Sequence, residues 1–281
     1  MLYRFIGLER IEKILHDRRD YLVHPSKWRD PYEWSFLDAN VLYPMYVYDG
    51  KMTSKPPPDG IKFKLSNWMR DDENHGRAHF IYGQCWSTRS ESAALWRTPD
   101  KYHVRIAIDE DVLCNRIESA AQGNQFYIDK VTYDSSDEIK TRRDTFISKW
   151  RPHRGHRGSA SEWFSEITSL LLEKRTDFDF EEELRIIIFD ENGYLLWRKS
   201  QDPKIGVPLA ERNDMPKLYG YKIDFNSDIH SILLHPELNK QEYQSQMAQI
   251  NELGITVPVS KSQLYSRRRI FDTWGEKPIS R

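Results

Sequence analysis

The residues in this chain best arranged for chemistry are Glu181, Glu183 and Arg185, in the run FEEELRIIIF from Phe180 to Phe189. Read as a strand, the run puts Glu181, Glu183 and Arg185 on one face and Glu182, Leu184 and Ile186 on the other. Two neighbouring carboxylates raise each other's pKa, and an adjacent arginine offsets that effect. Such a pair suits reaction at a sugar: one carboxylate stabilises an oxocarbenium-like centre while the other positions or deprotonates an acceptor. An isolated Glu-x-Glu is more often an ion-paired strand face in solvent. The apolar residues that follow predict a central strand instead, where a charged start is harder to dismiss.

Four other groups carry polar chemistry. Ser87, Thr88, Arg89 and Ser90 follow the strand HFIYGQCW (His79 to Trp86), and hydroxyls at such a strand end cap a helix or hold a ligand. Arg4 lies between Tyr3 and Phe5 in an N-terminal strand and needs a carboxylate or phosphate partner. The turn HPSKWRDPYE offers Asp30 and Glu33 as anchors for backbone amides, with His24 as a satisfied histidine. The basic stretch KWRPHRGHRG combines Lys149, Arg151, Arg154 and Arg157 with Trp150. Cations beside a stacking ring suit a polyanion such as RNA, and an ordinary exposed loop is the equal alternative. The sequence has no Gly-rich phosphate loop, HExxH or Cys/His metal set, so no metal is expected.

These residues must be positioned by short strands and a few helices. Strands are predicted at Leu2 to Ile6, Tyr21 to His24, His79 to Trp86, His103 to Ile108, Gln125 to Tyr133, Phe180 to Phe189, Leu218 to Ile223, Ile229 to Leu234 and Ile255 to Val259. Helical spacing marks Leu8 to Leu15, Glu138 to Trp150, Ser161 to Lys174 and Gln241 to Leu253, and Ser90 is expected to cap a short helix containing Ala93, Ala94 and Trp96. The helices do not alternate strictly with the strands. That pattern predicts a single α+β domain over 1–281 with a mixed, mainly antiparallel central sheet flanked by helices. The polar segment 51–76 and the helical, basic segment 138–174 read as insertions.

The chain has 281 residues, a net charge of -1 and 13% aromatic residues, enough for a core without crosslinks. Near-neutral charge removes any bulk attraction to nucleic acid or membrane. Two cysteines, Cys85 and Cys114, with no leader-like start, predict a reducing, cytoplasmic setting. No apolar run approaches the roughly 18 residues that span a bilayer, so no membrane partner is expected.

The order YRF, DPYE, CWS, a tryptophan such as Trp96, and FEEELRI resembles a bacterial domain family of unknown function. That family carries a Tyr-Arg start, an Asn-Asp-Pro-Phe-Glu turn, a Cys-Phe-Ser strand end and an aromatic-Glu-x-Glu-x-Arg-Ile strand. Arg29 stands here for the usual Asn, Trp86 for the usual Phe, and LWRTPDKY for the usual Trp-x-x-Tyr.

The order arginine, Ser-Thr-x-Ser, Glu-x-Glu is also similar to the Arg-Ser-Glu class of ADP-ribosyltransferases, with Arg89 inserted in the serine motif and wider gaps between motifs. This resemblance implies a split central sheet and NAD as the substrate. It implies that Arg4 holds an NAD phosphate, that Ser87 and Thr88 shape the nicotinamide-ribose pocket, and that Tyr3 or Trp86 stacks on nicotinamide. Glu183 would bind the ribose and Glu181 would activate the acceptor. A toxin or anti-phage effector would follow, modifying RNA, DNA or protein and restrained by an antitoxin. The alternatives are a metal-independent ribonuclease using His24, His153 or His156, and a binding module in which the acidic strand is structural.

Overall fold

The computed structural model describes residues 1–37, 46–48, 51–53, 64–65, 78–97, 103–150, 159–200 and 218–265. The first unit follows directly from its sequence. Leu2–Gly7 forms β1, and Leu8–Asp17 forms helix α1, whose Ile11 and Ile14 turn into the core. Arg18 ends the helix in the left-handed region (φ 49°) and Arg19–Val23 returns as β2. Three short strands, β3 (Tyr46–Tyr48), β4 (Lys51–Thr53) and β5 (Lys64–Leu65), make a separate antiparallel sheet. The rest of the predicted polar excursion lies outside the described residues.

β6 (Ile81–Ser87) is followed by a four-residue helix α2 (Ala93–Trp96), capped by Ser92 rather than Ser90. Next come β7 (His103–Ile108), α3 (Glu110–Ala121), β8 (Gln125–Lys130), β9 (Thr132–Asp134) and α4 (Ser136–Trp150). Helix α5 (Ala160–Leu171) starts at the cap Ser159 and stops before Lys174, which belongs to β10 (Glu173–Arg175). The chain continues through β11 (Glu183–Phe189), α6 (Glu191–Ser200), β12 (Leu218–Lys222), α7 (Phe225–Asp228), β13 (Ile229–Leu234), α8 (Lys240–Glu252) and β14 (Val259–Lys261). Asn239 and Glu242 form a reciprocal capping box at the start of α8.

Among the described residues nine strands build the central sheet, and all their pairings are antiparallel except β13 with β14. The protein is therefore α+β, a single domain with a mixed, mostly antiparallel sheet and flanking helices. β11 is central: it pairs with β6 along its whole length and with β8 on the other side. All seven of its residues are buried: Ile186 to Phe189 as an apolar run in a central strand demands, and Glu183 and Arg185 as ionic partners. Phe189 packs on Phe164 and Trp163 of α5, at ring separations of 5.3 and 6.2 Å.

The opposite edge of β6 is forked. β1 meets it only at Tyr3↔Ser87 and β2 only at Val23↔Gly83. Between those contacts the registers leave Gln84, Cys85 and Trp86 with no strand partner on that edge among the described residues. From the fork one arm runs through β1, β7, β13 and β14, and the other through β2 and β12.

Asp20 holds the fork together. It is 1% exposed and accepts hydrogen bonds from Arg4 Nη1 (2.5 Å), Arg10 Nη2 (2.7 Å), Gln84 Nε2 (3.0 Å) and the Tyr221 hydroxyl (3.1 Å). Those donors come from β1, α1, β6 and β12. Burial pushes the Asp20 carboxyl pKa up, but Arg4 and Arg10 outweigh it and leave it below the ordinary value. Asp20→Asn removes the charge that both arginines need. It should destabilise the protein by about 1–3 kcal/mol in urea unfolding near pH 7, the cost of weakening hydrogen bonds to charged, part-buried guanidiniums.

Candidate active site

A cavity of about 860 Å³ occupies the fork, walled by β1, β2 and residues 83–87 of β6. Arg4, Ser87, Glu181 and Glu183 all line it. A second space of about 600 Å³ adjoins it and shares Trp28, Cys85, Glu181 and Glu183, adding Glu33 and Lys174.

The carboxylates are organised by two buried cations. Arg185, fully buried, donates from Nε to Glu183 Oε1 (2.8 Å) and from Nη2 to Glu183 Oε2 (3.1 Å), and also pairs with Glu33. Its Nη1 donates to the Leu171 carbonyl at the end of α5, and the Trp28 ring covers it with the centroid at 4.5 Å. Lys174 Nζ lies 2.6 Å from Glu181 Oε2, 2.9 Å from Glu183 Oε2 and 3.3 Å from Glu33 Oε1. Three carboxylates thus share two cations, with a formal excess of one negative charge.

The end of β6 grips the chain just before β11. Ser87 Oγ donates to the Glu181 carbonyl (2.6 Å), and the Thr88 amide and hydroxyl both donate to the Glu182 carbonyl (2.9 and 3.1 Å). Glu182 adopts the left-handed conformation (φ 42°), and its exposed carboxylate pairs with Arg89. The strand therefore begins at Glu183, not at Phe180. Glu181 ends a 3-10 turn (Thr176–Glu181) and reaches the same ammonium as Glu183 by a route that strand alternation does not describe. Tyr133 completes the frame by accepting the Glu183 amide (2.8 Å).

This environment separates the two acids. Burial pushes Glu183 up, yet the charge and hydrogen bonds of Arg185, then Lys174, bring it down to about 2. For Glu181 burial wins against Lys174, with Glu183 and Glu33 adding repulsion, and the pKa is raised. Cys85 faces Glu183, and burial pushes its thiol well above the usual range.

The residues singled out in the sequence separate into several groups. Arg4, Ser87, Glu181 and Glu183 come together at the cavity. Tyr3 lines it with the Arg105 guanidinium over its ring at 4.7 Å. Trp86 is a wall rather than a free stacking surface: it is 2% exposed, donates to Gln84 Oε1 (2.8 Å) and has Arg4 5.6 Å from its ring centroid. Thr88 does not line the cavity, because its hydroxyl is spent on Glu182. Asp30 anchors the Tyr32 amide (2.9 Å) as expected, but Glu33 is drawn to Arg185 and Lys174. His24 is satisfied by Ser26 and the Ala78 carbonyl, and burial lowers its pKa.

The basic stretch reads differently in space. Lys149 is held by Glu162 and Glu166, and Trp150 is buried with its Nε1 donating to Glu166 (2.8 Å), so that ring does not stack on a base. Arg151, Arg154, Arg157, His153 and His156 lie outside the described residues. Among the described residues no group of His, Cys, Asp and Glu is arranged to hold a metal ion, and no helix is long and apolar enough to cross a membrane.

Four participants were not anticipated. Asp20 and Lys174 each sit in a charged run beside apolar residues, a weak signal for a buried ion. Trp28 and Phe178 supply aromatic walls. Trp28 lies so close to β6 that a Cβ on Gly83 would come within 2.5 Å of its ring. No family model, curated protein or solved structure is similar enough to this chain to assign the site by likeness.

Two outcomes follow. Gly83→Ala should cost about 1–3 kcal/mol through overpacking, and Trp28→Phe should recover part of it in a double-mutant cycle read by urea unfolding. Glu183 has a folded pKa below its unfolded value, so its stabilisation is present above about pH 5 and fades as pH falls towards 2. The stability difference between wild type and Glu183→Gln should therefore narrow over that window in denaturant titrations at stepped pH.

Proposed function

We propose that this chain is an NAD-dependent ADP-ribosyltransferase. The observation that carries the proposal is the meeting of Arg4, Ser87, Glu181 and Glu183 around one cavity at a forked strand edge. Its volume lies within the roughly 300–1,000 Å³ of small-molecule sites.

The charge distribution supports the same choice. Arg4, Lys27, Arg29 and Arg97 line the cavity together with Glu181 and Glu183. A ligand carrying two phosphates and a sugar that becomes cationic in reaction suits such a mixture. In this reading the ribose–nicotinamide bond breaks with its electron pair leaving on nicotinamide. The ionised Glu183 stabilises the positive charge that develops on the ribose, and Arg185 and Lys174 keep that carboxylate charged and fixed. Glu181, with its raised pKa, is the better-matched group to take the acceptor's proton. Arg4 commits one N–H to Asp20 and offers the rest of its guanidinium to phosphate. Trp28, Phe178 and Phe180 replace Tyr3 and Trp86 as the preferred aromatic contacts for nicotinamide.

The same proposal makes the protein a cytoplasmic toxin or anti-phage effector. RNA is the first acceptor to try, then DNA and protein, with Arg151, Arg154 and Arg157 as phosphate contacts and an antitoxin as the restraining partner. Isothermal titration should show NAD binding, and labelled NAD should leave product on one acceptor class. Glu183→Gln should lower transfer by about 10²–10³-fold, the usual loss when one preorganised charge-stabilising group is removed, while retaining NAD binding. A wild-type protein that neither binds NAD nor labels any acceptor would sink the proposal.

A further inference from the structure

Helices α1 and α8 border a groove of about 760 Å³ that shares no described lining residue with the fork cavity. Among the described residues its lining holds four glutamates, Glu9, Glu12, Glu242 and Glu252, and no lysine, arginine or histidine. Glu12 and Glu252 have no hydrogen bond or ion pair with any described residue. Acidic helix surfaces are common and prove little alone. Gln246 also lines this groove, is 2% exposed, and neither its Nε2 nor its Oε1 has a hydrogen-bond partner among the described residues. A buried, unsatisfied amide carries a desolvation cost that no described protein group offsets. A ligand that brings N–H groups into the groove removes part of that cost.

The spacing selects the ligand's shape. Glu242, Gln246 and Gln249 fall at intervals of four and three on one face of α8, and the C-cap Leu253 continues that row. From Glu242 to Glu252 the helix rises about 15 Å, at 1.5 Å per residue. Negative charge is therefore spread along the groove rather than focused on a point, and no metal-type cluster is present among the described residues. Leu8 and Leu253 add apolar surface suited to methylene groups.

We propose that this groove binds a linear aliphatic polyamine. Its ammonium groups pair with Glu12 and Glu252 and its chain lies on Leu8 and Leu253. One N–H is donated to Gln246 Oε1.

Spermidine titrated calorimetrically into the full chain should bind saturably at one site. Gln246→Leu leaves the charge unchanged and should weaken binding at least tenfold while raising the melting temperature, because it removes a buried unsatisfied amide. Glu12→Gln with Glu252→Gln, both on the surface, should weaken binding by a similar factor and serves as the test if Gln246→Leu does not fold. Unchanged affinity in a folded Gln246→Leu variant, or displacement of spermidine by magnesium at matched ionic strength, would reduce the effect to nonspecific charge attraction and overturn the proposal. NAD binding at the fork is a separate measurement, so either proposal can fail without the other.

Discussion

An arginine removed wholly from water is costly, and Arg185 sits in the middle of a central strand with no exposed surface. Its burial is tolerable only because every arm of the guanidinium is met: Nε and Nη2 by Glu183, Nη2 again by Glu33, and Nη1 by the last carbonyl of α5. Those partners belong to β11, to the 3-10 turn at Pro31–Glu33 and to the end of α5. The ion cluster thereby fixes three separate pieces of chain around the cavity. Lys174 depends on it in turn, since its ammonium is stabilised by the same Glu33 and Glu183. Breaking one member leaves the others as uncompensated buried charge, which is why the site and the stability of the domain are coupled here.

The fork is the complementary constraint. A sheet whose β1 and β2 continued to pair along β6 would have closed the space that Gln84, Cys85 and Trp86 border. Asp20 prevents the two arms from drifting apart by engaging β1, α1, β6 and β12 at one carboxylate. The opening is therefore held by a charged network on one side and the Arg185 cluster on the other, and Trp28 packs over Gly83 against the second. A cavity between two such networks can present fixed charges without much reorganisation when a ligand enters.

Much of the fold was legible because its strands obey simple patterns. His103–Ile108 and Ile229–Leu234 match the predicted bounds, since alternating or continuous apolar residues leave little choice. Helix α3 was missed although Leu113, Ile117 and Ala121 carry its spacing, because polar residues dilute the stripe. The end of α5 was overrun: Lys174 and its neighbours have helix-compatible composition, and only the parallel pairing of β10 with β9 draws them into a strand. At the site the residue types were readable but their partners were not. Nothing local in DPYE shows that Glu33 will turn from its own backbone to an arginine 152 positions away.

The departure at Arg89 has a physical account that the serine motif alone does not supply. Glu182 lies between two carboxylates that both point to Lys174, and a third at the same place would add repulsion without another cation. The left-handed turn at Glu182 swings its side chain out to solvent, and Arg89 meets it there. With Ser87 and Thr88 holding the carbonyls of Glu181 and Glu182, consecutive residues of one strand end fix the chain reversal that sets Glu181 beside Glu183. Ser87 thus acts on the carboxylate pair through backbone geometry. The pair in turn gains two different acidities from one shared ammonium: Glu183 has Arg185 as a second partner and stays ionised, whereas Glu181 has Lys174 alone and is raised. That asymmetry, rather than the presence of two glutamates, is what allows one carboxylate to hold a charge while the other moves a proton.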